Sequence, residues 1–360
     1  MVTVAVDACG ADLGPAEVAA GAAQAAEQGI GVLLFGPAHE IGPVPAGVEV
    51  VDAPVSIAKA ADPVAAVRST PEASIVQAAR AVADGRAQAL VSGGSTGAAL
   101  AAGLFHMRRD RGIHRPALAL PMPIPGSPVL LLDVGANVSC RPEHLFQFAF
   151  MGSAFAQAVM GIESPRVALL SNGEEPAKGT PELVAAHQRL AGPGGMGLRF
   201  IGNIEGTQVA AGAADVVVMD GFTGNITLKL IEGISSRTMV AVRDAAMTSW
   251  RGKLGGLLLA PSAKRLRQEI DPESTGGAYM LGLRQLGVVA HGRFTRTGFA
   301  RAIEVAARGV QEGVIAKTHA ALEDAGALRS VPDAPEQPPQ PDGPAASGPA
   351  PSGPTASVTR

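Results

Sequence analysis

The chain has 360 residues, 47% hydrophobic and 17% charged, enough for one large α/β domain or two modest lobes with sizeable cores. Aromatic residues make up only 3%, so the core must be built from Ala, Val, Leu and Ile. With 29 Lys and Arg against 32 Asp and Glu the formal net charge is -3, which argues against nucleic acid as a partner and confines any anionic partner to a local patch.

Val2–Val6 opens the chain as a strand, with no charged segment and apolar run before it, and no apolar stretch reaches the length of a membrane span. A cytoplasmic protein is expected. Cys9 and Cys140 are too few for a disulfide framework or a metal cluster, and neither metal nor cofactor is expected. Pro15 suits the first turn of a helix over Ala16–Gln28. Strands follow at Gly31–Phe35 and Gly47–Val51, a helix at Ser74–Ala83, and a strand at Ala89–Ser92 that runs into Gly93–Gly97 and a helix through Leu104. Further strands are predicted at Val129–Asp133, Arg166–Ser171, Leu198–Gly202 and Asp215–Met219, with helices at Ile226–Glu232 and Ala300–Leu322. Strands alternating with Ala-rich helices predict an α/β fold, a mostly parallel sheet sandwiched by helices. Residues 1–329 are read as one catalytic domain of one or two lobes. From 330 to 360 the chain is Pro, Gly, Ser and Ala with few large apolar residues, and is read as a disordered tail.

Four strand ends carry polar, Gly-bearing loops. Ser95, Thr96 and Gly97 follow the fourth strand, where free N–H groups at a helix start favour an anion. Asp133 and Asn137 follow the next. Glu174, Glu175 and Lys178 follow Arg166–Ser171, placing a cation beside two carboxylates. Asp220 and Asn225 precede the helix that carries Lys229, with Asn225 read either as its cap or as a ligand group. Each loop alone also reads as an ordinary capped or solvated turn. Together, at the carboxyl ends of strands, they predict one shared site for a small anionic substrate.

The motifs in order resemble the PlsX family of phosphate acyltransferases. Asp7–Pro15 resembles the family's D-A-M-G-G-D-x-x-P, with Gly10 and Asp12 in place and Cys9 for Met. Val91–Ala98 resembles V-S-A-G-N-T-G-A with Ser95 for Asn, and Arg115–Leu118 matches R-P-A-L. Leu132–Cys140 with Pro142–Leu145 matches D-V-G-A-N-x-x-C-x-P-E-H-L almost letter for letter. Ala290-His291-Gly292 also follows in family order, with Arg293 where serine is usual. The resemblance covers Met1 to Leu322. It implies a fold similar to the phosphate acetyltransferase and isopropylmalate dehydrogenase type. It also implies a homodimer, fatty-acyl thioesters of acyl carrier protein and inorganic phosphate as substrates, and acyl phosphate passed to a membrane glycerol-3-phosphate acyltransferase for phospholipid synthesis.

On that reading Ser95, Thr96, Asn225 and Lys178 position phosphate. Lys229, Asn137 or His291 stabilises the oxyanion or protonates the leaving thiolate, while Asp7, Asp12, Asp133 and Asp220 orient them. Arg108, Arg109, Arg111 and Arg115 form a basic stretch suited to an acidic carrier protein, or simply a solvated loop. Around 246–268, Leu254, Leu257, Leu258 and Leu259 are flanked by Arg and Lys, as an anionic membrane surface or a dimer interface would require. Pro261 is expected to break that segment into a hairpin tip. An acyl-CoA-dependent phosphate acetyl- or butyryltransferase and a non-catalytic membrane-bound scaffold are the rival readings. An isopropylmalate-type dehydrogenase ranks last, for want of a candidate metal-binding carboxylate cluster.

Overall fold

Short runs such as Val-Leu-Leu-Leu and Val-Ala-Leu-Leu are apolar at every position, as strands buried on both faces must be. In the computed structural model, which describes residues 1–126 and 128–329, eleven strands form one sheet. They are β1 (Thr3–Asp7), β2 (Gly31–Gly36), β3 (Val48–Asp52), β4 (Ala89–Ser92), β5 (Ala117–Met122), β6 (Val129–Leu132), β7 (Val167–Leu170), β8 (Phe200–Ile204), β9 (Val216–Val218), β10 (Ala278–Leu281) and β11 (Leu286–Val289). The helices are α1 (Pro15–Glu27), α2 (Ala38–Ile41), α3 (Pro63–Ser69), α4 (Ser74–Ala83), α5 (Thr96–Ala102), α6 (Pro142–Met160), α7 (Pro181–Ala191), α8 (Gly206–Ala210), α9 (Gly221–Met247), α10 (Trp250–Glu269), α11 (Arg296–Gln311) and α12 (Val314–Asp324). Met1–Arg329 is one compact unit; the tail predicted for 330–360 lies outside the described residues.

The strand order is β3-β2-β1-β4-β11-β10-β5-β6-β9-β7-β8. Alternate side chains of each strand enter opposite core layers: Val4 and Val6 join Phe146, Phe155 and Phe299 under α1, α6 and α11, while Ala5 joins Ile75, Leu100 and Leu228 under α4, α5 and α9. The pairings β10–β11, β10–β5 and β5–β6 are antiparallel and all others parallel. The direction of the sheet therefore reverses at its centre. The carboxyl ends of β1, β4 and β11 lie on one edge, and those of β6, β7 and β9 on the other. This divides the four polar loops that the sequence reading assigns to a single site.

Three local expectations differ from the structure. β5, β10 and β11 escape the pattern, β5 and β10 being made of Ala, Leu, Met, Pro and Tyr without a β-branched residue and β11 being four residues that include a glycine. Their central position in the sheet overrides propensity. The helix at Ala300–Leu322 is two helices, divided where Gly313 takes φ 66°. Pro261 lies inside α10 without ending it, and the hairpin turns instead at Thr248 and Ser249, where the Ser249 hydroxyl accepts from Gly252 N–H. On a helix with no buried residue the carbonyl freed by Pro261 can bond water. α10 packs on α9 through small residues, with Gly252 against the Ala246 carbonyl and Gly256 beside the Ala246 Cβ.

Phe155 on α6 is fully buried and meets the Tyr279 ring edge-on at 4.7 Å between centroids, joining α6 to β10. Phe155→Ala is expected to lower unfolding free energy by about 3–5 kcal/mol, measured by guanidinium denaturation against the parent chain.

Candidate active site

On the β4 edge, the site is built around Asp7. Its carboxylate, at the end of β1, accepts from Ser74 Oγ at 2.6 Å, Ser92 Oγ at 2.8 Å and Cys9 N–H at 3.1 Å. Ser92 Oγ in turn accepts from Gly94 N–H at 3.2 Å, which fixes the start of the loop ahead of α5. Asp7 is thus a buried post under this loop and does not face solvent. Burial pushes its carboxyl up to about 6, against the three hydrogen bonds that favour its charge. Gly10, at φ 96°, passes so close to Gly94 that a Cβ would meet Ala58 and the Gly94 backbone. Ser95 caps α5, accepting from Ala98 N–H at 3.4 Å, while Thr96 remains half-buried and Gly97 is exposed. Asp12 N–H donates to the Gly292 carbonyl at 2.8 Å, tying the β1 loop to the loop that bears His291.

On the opposite edge, Asp133 follows β6 at φ 64°, a left-handed conformation that Asp tolerates better than most side chains. Its buried carboxylate accepts from Ala136 N–H (2.7 Å), Asn137 N–H (3.0 Å) and Asn137 Nδ2 (2.8 Å), and burial raises its pKa. The second Nδ2 hydrogen of Asn137 goes to the Pro116 carbonyl at 2.8 Å. Asn137, a catalytic candidate in the sequence, therefore has its amide donors committed inside the loop. α9 is seated directly on this loop. Gly221 N–H donates to the Asn137 carbonyl at 2.7 Å, and a Cβ on Gly224 would overlap the Asp133 carbonyl. Asp220, not Asn225, is the cap, accepting from Thr223 N–H at 2.9 Å and Oγ1 at 2.7 Å.

From that seat α9 carries Asn225, Leu228, Lys229 and Glu232 along one face of the sheet, with Asn225 still beside Gly135 of the β6 loop and Lys229 reaching the His291 loop. There they close a cleft of about 360 Å³ with Ser95, Thr96, His291 and the inner faces of β5 and β10. Lys229 Nζ lies 2.9 Å from Glu232 Oε2 and 3.3 Å from His291 Nε2. His291 Nδ1 faces the Arg293 N–H at 3.2 Å. Burial first, then the Lys229 and Arg293 charges, lower the His291 pKa, so its imidazole is neutral at physiological pH.

The structure thus joins Ser95, Thr96, Asn225, Lys229 and His291 in one cleft. Lys178, Glu174 and Glu175 belong to a turn on the other edge and do not line that cleft. Lys178 is exposed, and Glu174 Oε1 accepts from Gln208 Nε2 at 2.9 Å. That turn is held by the Glu175 carbonyl, which accepts from Asn203 Nδ2 at 2.9 Å, and by the buried contact of Asn203 with His187, also at 2.9 Å. A second, wider cleft of about 1090 Å³ adjoins it, lined among others by Arg115, Arg141, Asn172, Asp220 and Thr223. The two clefts share the first turns of α9. Arg108, Arg109 and Arg111 are exposed near one another, with Arg109 donating to the His114 carbonyl at 2.7 Å.

Residues 2–317 match the family model described as fatty acid synthesis protein. A phosphate acyltransferase of Synechococcus sp. is 42% identical over 328 residues, spanning 89% of this chain and 87% of the relative. Another, from Pelotomaculum thermopropionicum, is 40% identical over 327 residues, 89% of this chain and 95% of the relative. The chain belongs to the phosphate acyltransferase (PlsX) family. Among solved structures, a phosphotransacetylase of Streptococcus pyogenes superposes with a TM-score of 0.58 at 17% identity, covering 86% of this chain and 94% of that one. The phosphotransacetylase EutD of Staphylococcus aureus gives 0.53 at 16% identity, covering 85% and 94%. At that identity the likeness shows the fold, which agrees with the phosphate acetyltransferase type implied by the motifs.

Sequence reading missed two contributors. Glu232 fixes the Lys229 ammonium, and its i,i+3 spacing on a helix was the available signal. Gln147 is buried in α6, accepts from His114 N–H at 2.8 Å and donates to the Gly112 and Ala327 carbonyls, pinning the arginine loop; nothing local marks it.

The raised Asp7 pKa has a consequence for stability. A carboxyl whose folded pKa of about 6 exceeds the ordinary aspartate value of 3.8 contributes stability that is present below about pH 4 and is lost as pH rises through 6. Relative to Asp7→Asn, the parent chain is expected to lose on the order of 3 kcal/mol between pH 4 and pH 7. Equal pH slopes in the two unfolding series would refute the assignment.

Proposed function

We propose that this chain transfers a fatty-acyl group from acyl carrier protein to inorganic phosphate, giving acyl phosphate and the free carrier thiol. The observation that carries this reading is the cleft where Ser95, Thr96, Asn225, Lys229 and a neutral His291 meet an apolar wall, in a chain of this family. Hydrogenphosphate binds between the Ser95 and Thr96 hydroxyls and the Lys229 ammonium. One phosphate oxygen attacks the thioester carbonyl carbon, forming a C–O bond as the C–S bond breaks. Lys229 and the Asn225 amide stabilise the negative charge that develops on the carbonyl oxygen. Neutral His291 takes the hydrogenphosphate proton and passes it to the departing thiolate, which balances the step. Asp7, Asp133 and Asp220 hold loops and caps, and Asp12 ties the β1 loop to the His291 loop. Lys178, with Glu174 and Glu175, stands on the turn beside the second cleft.

The exposed arginines 108, 109, 111 and 115 support docking of an acidic carrier. On α9 and α10, Ile234, Trp250, Leu254, Leu257, Leu258 and Leu259 are all more than half exposed, an apolar surface in need of cover. We assign the α10 leucines, flanked by Arg251, Lys253 and Lys264, to an anionic membrane surface on the cytoplasmic side. The α9 face is assigned to a second copy of the chain. Such placement puts acyl phosphate beside a membrane glycerol-3-phosphate acyltransferase. No helix among the described residues is long and apolar enough to cross a membrane.

Protein mixed with long-chain acyl carrier protein and phosphate, quenched with hydroxylamine, is expected to yield phosphate-dependent hydroxamate. Lys229→Ala should cut kcat by about 100-fold or more, in the range of a lost oxyanion donor. Arg108→Glu with Arg109→Glu should raise KM for the carrier substrate with little change in kcat. Product from short acyl-CoA alone would favour the CoA-dependent rival. Flotation with anionic liposomes is expected to fall sharply for Leu257→Glu with Leu258→Glu, and undiminished binding removes the membrane assignment.

A further inference from the structure

The polar groups of the cleft account for only one side of it. Along β5, side chains alternate between the two core layers, so Leu118, Leu120 and Met122 all face α9 while Ala117 and Ala119 face away. Leu118, Leu120 and Met122 line the cleft opposite Leu228 of α9, and Phe294 lines it beside the His291 loop. The span from Leu118 to Met122 is about 13 Å along the strand. Strand order places this wall two strands from β11: Ser95, Thr96 and His291 line the cleft from the β4 and β11 loops, while β5 contributes only apolar side chains. A phosphate and a thioester carbonyl would occupy the first. Neither has use for the second.

We infer that the apolar side is the slot for the acyl chain, and that Leu120, at the middle of the β5 wall, sets how much chain the site accepts. The inference rests on the acyl-transfer reading above and names the part of the substrate it leaves unplaced. A chain entering this slot leaves water for a wall of Leu and Met, and each buried methylene raises kcat/KM about fourfold until the slot is full. A larger side chain at position 120 shortens the slot from within. A smaller one extends it. Leu228 faces the same space from the helix and acts in the same sense.

The test compares butyryl, octanoyl, dodecanoyl and hexadecanoyl thioesters by hydroxamate trapping, with kcat/KM read for each. In the parent chain kcat/KM should climb from butyryl and then level off. In Leu120→Trp the ratio of hexadecanoyl to butyryl kcat/KM is expected to fall at least about tenfold, since several methylenes lose their place. If Leu120→Trp fails to fold by near-ultraviolet circular dichroism, Leu228→Phe replaces it, and a smaller fall of the same ratio is expected. An unchanged ratio in the folded variant overturns the slot, as does a parent profile flat across chain lengths. No product from any thioester in the parent chain would instead overturn the acyl-transfer reading itself.

Discussion

The seating of α9 on the loop after β6 is the contact on which the cleft depends. Asp133 holds that loop in a left-handed turn by gathering backbone N–H groups and the Asn137 amide around one buried carboxylate. Two glycines, Gly221 and Gly224, then let the helix backbone lie against it with no room for a Cβ. Because α9 is rigid beyond that point, its seat decides where Asn225 and Lys229 arrive, one and two turns later. A carboxylate buried inside its own loop thus fixes where the cleft residues stand.

The reversal of strand direction explains why such a helix is needed. In a sheet parallel throughout, loops at strand ends converge on one edge and form a site by themselves. Here the β4 and β11 loops lie on one edge and the β6, β7 and β9 loops on the other. α9 spans the gap, carrying groups from the second set to the first. The Lys178 turn, lacking such a carrier, stays on its own edge beside the wider cleft.

Electrostatics in the cleft follow from the same crossing. Lys229 reaches the His291 ring from α9, and burial together with its positive charge keeps the imidazole neutral. Glu232, one turn on, holds the ammonium in place. At the other end of the network, Asp7 supports the Gly94 loop from beneath, and its hydrogen bonds come from serines on α4 and β4 that only the folded sheet brings together.

The sequence by itself determined the α/β class, the family and the residues of the β4 loop, since these rest on local periodicity, turn chemistry and ordered motifs. It also marked Asn225, Lys229 and His291. It did not reveal β5 and β10, whose Ala- and Met-rich segments become strands through their neighbours, nor the single helix through Pro261. Only the tertiary structure decided which loops share a cleft, that Asn137 is spent on its own loop, and that β5 supplies an apolar wall. The reason is physical: strand direction is fixed by pairing between segments far apart in sequence, and that pairing determines on which edge each loop emerges.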